Sequence, residues 1–137
     1  MKKSTVILIA LIYVASIAIV GFLGLEAKFY NDVIYPESIE ILSEYKVDNK
    51  TGNKYITLIS NGGDNKTLQL ESRILPDNAS DKKIIYKLAP DCTTATIDES
   101  GLLTFITESK NPISVKVYIY SNQNTTISDQ ILVYYIP

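Results

Sequence analysis

The chain has 137 residues, with 13 basic and 15 acidic side chains, one cysteine and no histidine or tryptophan. Without histidine it has no Ser-His or Cys-His catalytic pair and no imidazole ligand for a metal, so we predict neither an enzyme nor a cofactor site. All 15 acidic residues but only 11 basic ones lie from Glu26 onward, a balance of −4. That balance, without a basic cluster, argues against nucleic acid as a partner.

The first element is an uncharged stretch of 20 residues, VILIALIYVASIAIVGFLGL, from Val6 to Leu25. A helix of this length, at about 1.5 Å per residue, spans roughly the 30 Å hydrocarbon core of a bilayer. Lys2 and Lys3 precede it, and a short basic N-terminus stays in the cytoplasm by the positive-inside rule. We therefore predict that residues 1–25 form a transmembrane signal anchor in the plasma membrane, with the rest of the chain outside.

A cleaved secretory signal peptide is the alternative interpretation of this segment. Such a peptide has an apolar core of about 7 to 15 residues that ends at a small-x-small cleavage site. The apolar segment here is longer, and LEA at Leu25 to Ala27 is a poor site. We favour an uncleaved anchor in contact with membrane lipid. Its scattered small residues leave open whether it also packs against another helix.

Residues 26–38, EAKFYNDVIYPES, are predicted to form a juxtamembrane stalk. Phe29, Tyr30 and Tyr35 suit the aromatic belt of a membrane interface. Pro36 stops any continuing helix. Even fully extended, the stalk reaches at most about 45 Å. We therefore expect the following domain to lie close to the bilayer.

Residues 39–137 change to the two-residue periodicity of strands with one buried face. The clearest runs are VKVYIY and ILVYYI near the C-terminus. Sequences rich in Asn, Asp, Gly and Ser, such as NKTGNK, NGGDNK, DESG and SNQNTT, separate the runs and predict turns. About seven short strands in roughly 100 residues, without a convincing amphipathic helix, predict an all-β fold with a single β-sandwich.

Two segments of this region match a family pattern, LQLESRILPDNASDKKIIYKL and ATIDESGLLTF. The matching residues include Pro76, Asn78, Ala95, Ile97, Asp98, Gly101 and Leu103, while Tyr86 stands at a position of the pattern that usually holds another aromatic residue. By these residues, the chain from Ile39 to Ile136 resembles the bacterial immunoglobulin-like (Ig-like) group 2 domain. The resemblance implies an Ig-like sandwich that is used in adhesins, in wall-associated proteins or as a spacer.

The resemblance also implies local geometry. Gly101 is expected to take the positive φ of a tight turn that Asp98 opens. Ala95 and Ile97 are expected to point into the core. Tyr86 replaces the tryptophan that is usual in the family, which leaves a hydroxyl group that needs a hydrogen-bond partner.

Tyrosines near the C-terminus form the candidate interaction face. Tyr118 and Tyr120 share one face of a predicted strand, and we expect Tyr134 to lie near Tyr120 if the last two strands pair as a hairpin. Ile85, on the outer face of its strand, extends this surface. Exposed aromatic patches are typical of protein or carbohydrate interfaces. The alternative is that the rings only cover the sheet.

Calcium is the one metal that loop oxygens alone could bind, and Asp77, Asn78 and Asp81 in one turn and Asp91 in another are the candidates. The chain has no D-x-D-x-D-G loop, so we predict no metal site. Cys92 has no partner for an internal disulfide, and we interpret it as an idle thiol, with a disulfide between chains as the alternative.

These features together predict a non-catalytic, single-pass membrane protein that presents an extracytoplasmic Ig-like domain. A lone domain close to the bilayer is poorly built to reach distant targets. We therefore expect an accessory or structural subunit of a membrane or cell-surface assembly, with a protein partner. The alternative is an adhesion module that binds a glycan or a host protein.

Overall fold

The computed structural model describes residues 2–29, 32–63 and 65–137, without the side chains of residues 23–29. The chain divides into two compact units, Met1–Val33 and Ile34–Pro137. Of the predicted site residues, the side chain of Leu25 lies outside the described part. The predicted interfacial residues Phe29 and Tyr30 are also outside it, apart from the backbone of Phe29.

Unit 1 contains one helix, α1 (Lys3–Phe29). From Val6 to Phe22 its side chains are exposed and, apart from Tyr13 and Ser16, wholly apolar, and the helix is long and apolar enough to be a membrane anchor or a signal sequence. The hydroxyl of Ser16 donates to the carbonyl of Ile12 at 2.8 Å, so this polar group is satisfied within the helix. Residues 26–29 of the predicted stalk are helical.

The described residues of unit 2 form ten strands. They are β1 (Ser38–Ile41), β2 (Lys46–Val47), β3 (Lys54–Ile59), β4 (Thr67–Gln69), β5 (Ser72–Leu75), β6 (Ile84–Leu88), β7 (Ala95–Ile97), β8 (Leu102–Phe105), β9 (Ile113–Ser121) and β10 (Ser128–Ile136). Before β1, the backbone of Ile34 donates to the Ser80 hydroxyl and accepts from the Ser80 amide, both at 2.9 Å. These bonds hold the start of the unit to the turn that precedes β6.

The strands form two layers. One is a five-stranded sheet in the order β2-β3-β10-β9-β6, and the other consists of the pair β1-β5 and the sheet β4-β8-β7. All pairs are antiparallel except β3 and β10, which run parallel with Tyr55 beside Leu132. Apolar side chains of both layers meet in one core, so the domain is sandwich-like.

The core consists of the inward positions of the alternating strands. Leu103 and Phe105 come from one layer, and Val117 and Val133 come from the other, each at most 1% exposed. Across the layers, the rings of Phe105 and Tyr135 stack with centroids 4.6 Å apart. Burial of this apolar surface is the main source of stability, at about 25 cal/mol per Å².

The described chain has ten strands where the sequence predicted about seven. One cause is that the segment LQLESRI from Leu68 to Ile74, whose alternation of apolar and polar residues predicts a single strand, divides into β4 and β5. Between them, the amide of Leu70 donates to the carbonyl of Gly101, and the amide of Glu71 donates to the hydroxyl of Ser43. Another cause is β2, whose two residues are too short for any periodic signal.

The residues of the family pattern lie mainly where the layers meet. Gly101 has φ +85°, as expected, and a Cβ built there would lie 2.6 Å from the carbonyl oxygen of Leu70 and 2.9 Å from the ring of Tyr86. The hydroxyl of Tyr86 forms a hydrogen bond of 2.6 Å with the hydroxyl of Ser72. Leu103 is fully buried. These contacts join β6 to the opposite layer.

The expected inward positions in β7 are confirmed, because Ala95 is buried and Ile97 packs against the core. In the turn after β5, the carbonyl of Pro76 accepts from the amide of Ala79, which is buried, while Asn78 is exposed. These residues shape the scaffold that presents the outer faces.

Candidate functional site

The outer face of the five-stranded sheet is the surface on which the predicted tyrosines lie. Strand pairing determines which residues share this face. The outward positions are Lys46, Tyr55, Thr57, Ile59, Ile85, Lys87, Ser114, Lys116, Tyr118, Tyr120, Ser128, Gln130, Leu132, Tyr134 and Ile136.

Tyr118 and Tyr120 form a close pair on β9, with ring centroids 6.3 Å apart and ring planes 24° apart. On the neighbouring strand β6, Ile85 is in register with Tyr120 and Lys87 with Tyr118. The ammonium group of Lys116 lies 6.0 Å from the centroid of the Tyr118 ring, within range of a cation–π interaction. We call these five residues the tyrosine–lysine patch.

Tyr134 does not join this patch, and the expected proximity to Tyr120 is wrong. The last two strands do pair as a hairpin, but Tyr120 is in register with Ser128 and Tyr134 with Ser114, so the rings lie toward opposite ends of the hairpin. The alternation of residues within each strand correctly predicted that these tyrosines share the outer face. Their positions along the hairpin depend on the register of the two strands.

Tyr134 instead packs edge-on against Tyr55 of β3, with centroids 5.7 Å apart and planes at 80°. Beside them, Ile59 and Ile136 are in register on the same face, 51% and 38% exposed. We call these four residues the tyrosine–isoleucine patch. The sequence offered no signal for Tyr55 and Ile59 as its members, because they reach Tyr134 only through the parallel pairing of β3 with β10.

An open hollow of about 430 Å³ adjoins the tyrosine–isoleucine patch. Its lining residues are Val47, Asp48, Asn49, Lys50, Tyr55 and Tyr134. Asp48 is held in its own turn, because its carboxylate accepts from the amide of Lys50 at 2.9 Å and the hydroxyl of Thr51 at 2.8 Å. The hydrogen bond from the Lys50 amide lowers the pKa of Asp48 most, followed by the one from Thr51.

The charge on this face is of one sign. Its outward strand positions include three lysines, Lys46, Lys87 and Lys116, and no aspartate or glutamate. Neither Lys87 nor Lys116 forms an ion pair with a carboxylate of the described residues. A basic, aromatic face is therefore built into a part of the chain whose net charge is negative.

Two of the three aspartates predicted as calcium candidates, Asp81 and Asp77, have structural partners. Asp81 accepts from the amide of Lys83 and the side-chain amide of Asn122, both at 2.8 Å, and the bond from Asn122 is the main reason that its pKa is lowered. Asp77 lies 3.8 Å from the guanidinium of Arg73. Within residues 2–29, 32–63 and 65–137, no three His, Cys, Asp or Glu side chains are grouped so as to hold a metal ion.

Asp98 stabilises the turn before β8 through hydrogen bonds. Its carboxylate accepts from the hydroxyl and amide of Ser100 and from the amide of Leu102, at 2.7 to 3.0 Å. The hydroxyl of Ser100, followed by the amide of Leu102, lowers the pKa of Asp98. Cys92 is half-buried, with Sγ 3.9 Å from the Thr94 hydroxyl and from the Ala95 carbonyl. Both residues serve local structure.

A scan against protein-family models finds no match for the chain, and a search of curated proteins finds none either.

Proposed function

We propose that the chain is a non-catalytic, single-pass membrane protein that presents an Ig-like domain outside the cytoplasm as an accessory or structural subunit of a membrane or cell-surface assembly. Helix α1 is its anchor in the plasma membrane. Lys2 and Lys3 favour a cytoplasmic N-terminus, because short basic segments are retained on that side.

The strand order supports an Ig-like sandwich. In constant-type Ig domains, strands A, B, E and D form one sheet and C, F and G form the other. Here β1, β5 with β4, β8 and β7 take the order of A, B, E and D, while β6, β9 and β10 take that of C, F and G. The strands β2 and β3 extend the second sheet beyond β10.

The observation on which the subunit role rests is the tyrosine–lysine patch. Tyr118, Tyr120 and Ile85 point out of the sheet and lie outside the core cluster, and each is half-buried. Aromatic residues are enriched and energetically dominant at protein interfaces. A partner that covers this patch would bury the part of each ring that the fold leaves accessible.

The second candidate function is adhesion, in which the domain binds a glycan or a host protein. The hollow beside Tyr55 and Tyr134 favours it, because the hollow combines two aromatic rings with the polar groups of Asp48, Asn49 and Lys50. An apolar surface with a few convergent polar groups is the usual composition of a small-ligand site.

Purification of the full-length chain from its own membranes in mild detergent, followed by mass spectrometry, tests the subunit role. We expect a stoichiometric protein partner with the wild type and its loss with the double substitution Tyr118→Ser and Tyr120→Ser. The matched control is Tyr55→Ser with Tyr134→Ser, which removes two tyrosines from the same face and is expected to retain the partner.

Recovery of the wild-type chain alone would contradict the subunit role. Loss of glycan binding in the Tyr55→Ser and Tyr134→Ser variant, with no effect of the other pair, would establish the second candidate instead. The topology is tested separately in a Cys92→Ser background. A membrane-impermeant maleimide is expected to label Asn124→Cys in intact cells and to leave Ser4→Cys unlabelled.

A further inference from the structure

Strand β6 is an open edge of the five-stranded sheet. Among the described residues it pairs only with β9, so alternate residues of Ile84–Leu88 direct their amides and carbonyls away from the sheet. An exposed edge of this kind can bind an extended polypeptide by strand addition, with main-chain hydrogen bonds supplying affinity. A carbohydrate cannot extend such a ladder.

Four lysines lie beside this edge, and the nearest acidic residues flank the strand at Asp81 and Asp91. Lys82 and Lys83 are exposed just before β6, Lys87 lies on it, and Lys116 is one strand further in. The nearest acidic group before the strand, Asp81, is already bound by the amide of Lys83 and by Asn122. Lysines on an edge oppose uncontrolled pairing with neutral or basic strands. They favour a strand that brings carboxylates.

Ile85 and Lys87 determine the order of side chains that an added strand would need. Both point outward and are two residues apart, so residues two apart on the new strand would lie beside them. An apolar residue beside Ile85 and an acidic one beside Lys87 would match. A shallow depression of about 270 Å³, lined by Ile85, Lys87, Tyr120 and Thr125, adjoins the same edge.

We propose that the open edge of β6 binds an extended acidic segment of a partner protein by strand addition, with an apolar residue on Ile85 and a carboxylate on Lys87. This inference rests on the proposed subunit function, since it specifies how the tyrosine–lysine patch takes its partner. The bound segment would extend the five-stranded sheet to six, with Ile85 and Lys87 beside its outward side chains and with Tyr118 and Tyr120 one strand further in.

Short synthetic peptides and the full-length chain in nanodiscs of neutral phosphatidylcholine test the proposal. The first peptide alternates valine and glutamate, and the second has lysine in place of glutamate. The third is the glutamate peptide with alternate amides methylated. We expect the first to bind most tightly and to protect the amides of residues 84–88 from hydrogen exchange, the second to bind more weakly and the third not to bind. Tight binding of the methylated peptide, or protection confined to another strand, would overturn strand addition.

Charge reversal at Lys87 tests the acidic partner. Lys87→Glu is expected to weaken the glutamate peptide about fivefold and to strengthen the lysine peptide by a similar factor, as for a cross-strand ion pair. Lys116→Glu serves as a second variant with a smaller effect in the same direction. The control Lys110→Glu changes an exposed loop lysine and should alter neither affinity.

Two outcomes would overturn the proposal and leave the subunit function intact. One is a partner protein that is lost with Tyr118→Ser and Tyr120→Ser but retained at full strength with Lys87→Glu. The other is a partner that adds no protection to residues 84–88. Displacement of the glutamate peptide by polygalacturonate at lower concentration than by free peptide would overturn it in favour of an acidic glycan.

Discussion

On one side of the sandwich, tyrosines, isoleucines and lysines face outward from the five-stranded sheet. On the other side, the outward positions of β4, β8 and β7 are Thr67, Gln69, Leu102, Thr104 and Thr96. Both faces cover the same core. Threonine, glutamine and a single leucine are sufficient to cover the second face, so the fold does not require the aromatic rings of the first face. That difference is the reason to look for a partner there.

The contact between the layers should give the largest effect on stability. Gly101→Ala is expected to lower the free energy of unfolding by about 3 kcal/mol, because the new methyl meets Leu70 and Tyr86 at positive φ. Chemical denaturation measures it. The control Gly52→Ala also has positive φ, but nothing lies within 4 Å of its Cβ, so we expect a loss of about 1 kcal/mol. Equal losses would contradict the close packing at Gly101.

Removal of the Tyr86 hydroxyl should give the next largest loss of unfolding free energy. Tyr86→Phe is expected to cost about 1 kcal/mol, because it leaves the partly buried hydroxyl of Ser72 without its 2.6 Å partner. Combining it with Ser72→Ala in a double-mutant cycle isolates the interaction between the layers. Additive losses would show that the hydroxyls contribute independently.

Replacing tyrosines of the five-stranded sheet with threonine, the commonest residue on the opposite outer face, tests whether the fold needs the aromatic rings. The double variant Tyr118→Thr and Tyr120→Thr is expected to lose less than about 1 kcal/mol of unfolding free energy, since both rings lie outside the core. Thermal denaturation measures this loss. A loss of several kcal/mol would mean that the rings serve the fold, and the argument for an interface would fail.

The smallest expected effect is on the decline of folding stability at acidic pH. Hydrogen bonds lower the pKa of Asp98 in the folded state, so its contribution to stability is present above the pKa of the unfolded chain and is lost as the pH falls through the folded value. We expect Asp98→Asn to flatten the decline in stability below about pH 4. Denaturation curves at a series of pH values measure it, and an unchanged decline would contradict the role of this carboxylate.

Sequence patterns that span only a few residues correctly predicted the buried strand faces and a turn, because neighbouring residues determine these features. Alternation identified the buried faces of β9 and β10, and DESG predicted the turn at Gly101, because both signals lie within a few residues. The division of the candidate face into two patches was missed. It depends on the register of the β9–β10 hairpin and on the parallel pairing of β3 with β10, which distant parts of the chain determine together.

The parallel pairing of β3 with β10 also constrains the order of folding. Tyr55 of β3 cannot pair with Leu132 of β10 until Leu132 has been synthesised. Leu132 leaves the ribosome after most of the domain has already emerged. Until then, Ile56 and Leu58 lack the neighbouring inward side chains of Val133 and Tyr135. Pairings between such distant segments are slow to form and leave the nascent chain open to aggregation. We therefore expect this domain to depend on chaperones during synthesis more than a domain built from neighbouring hairpins would.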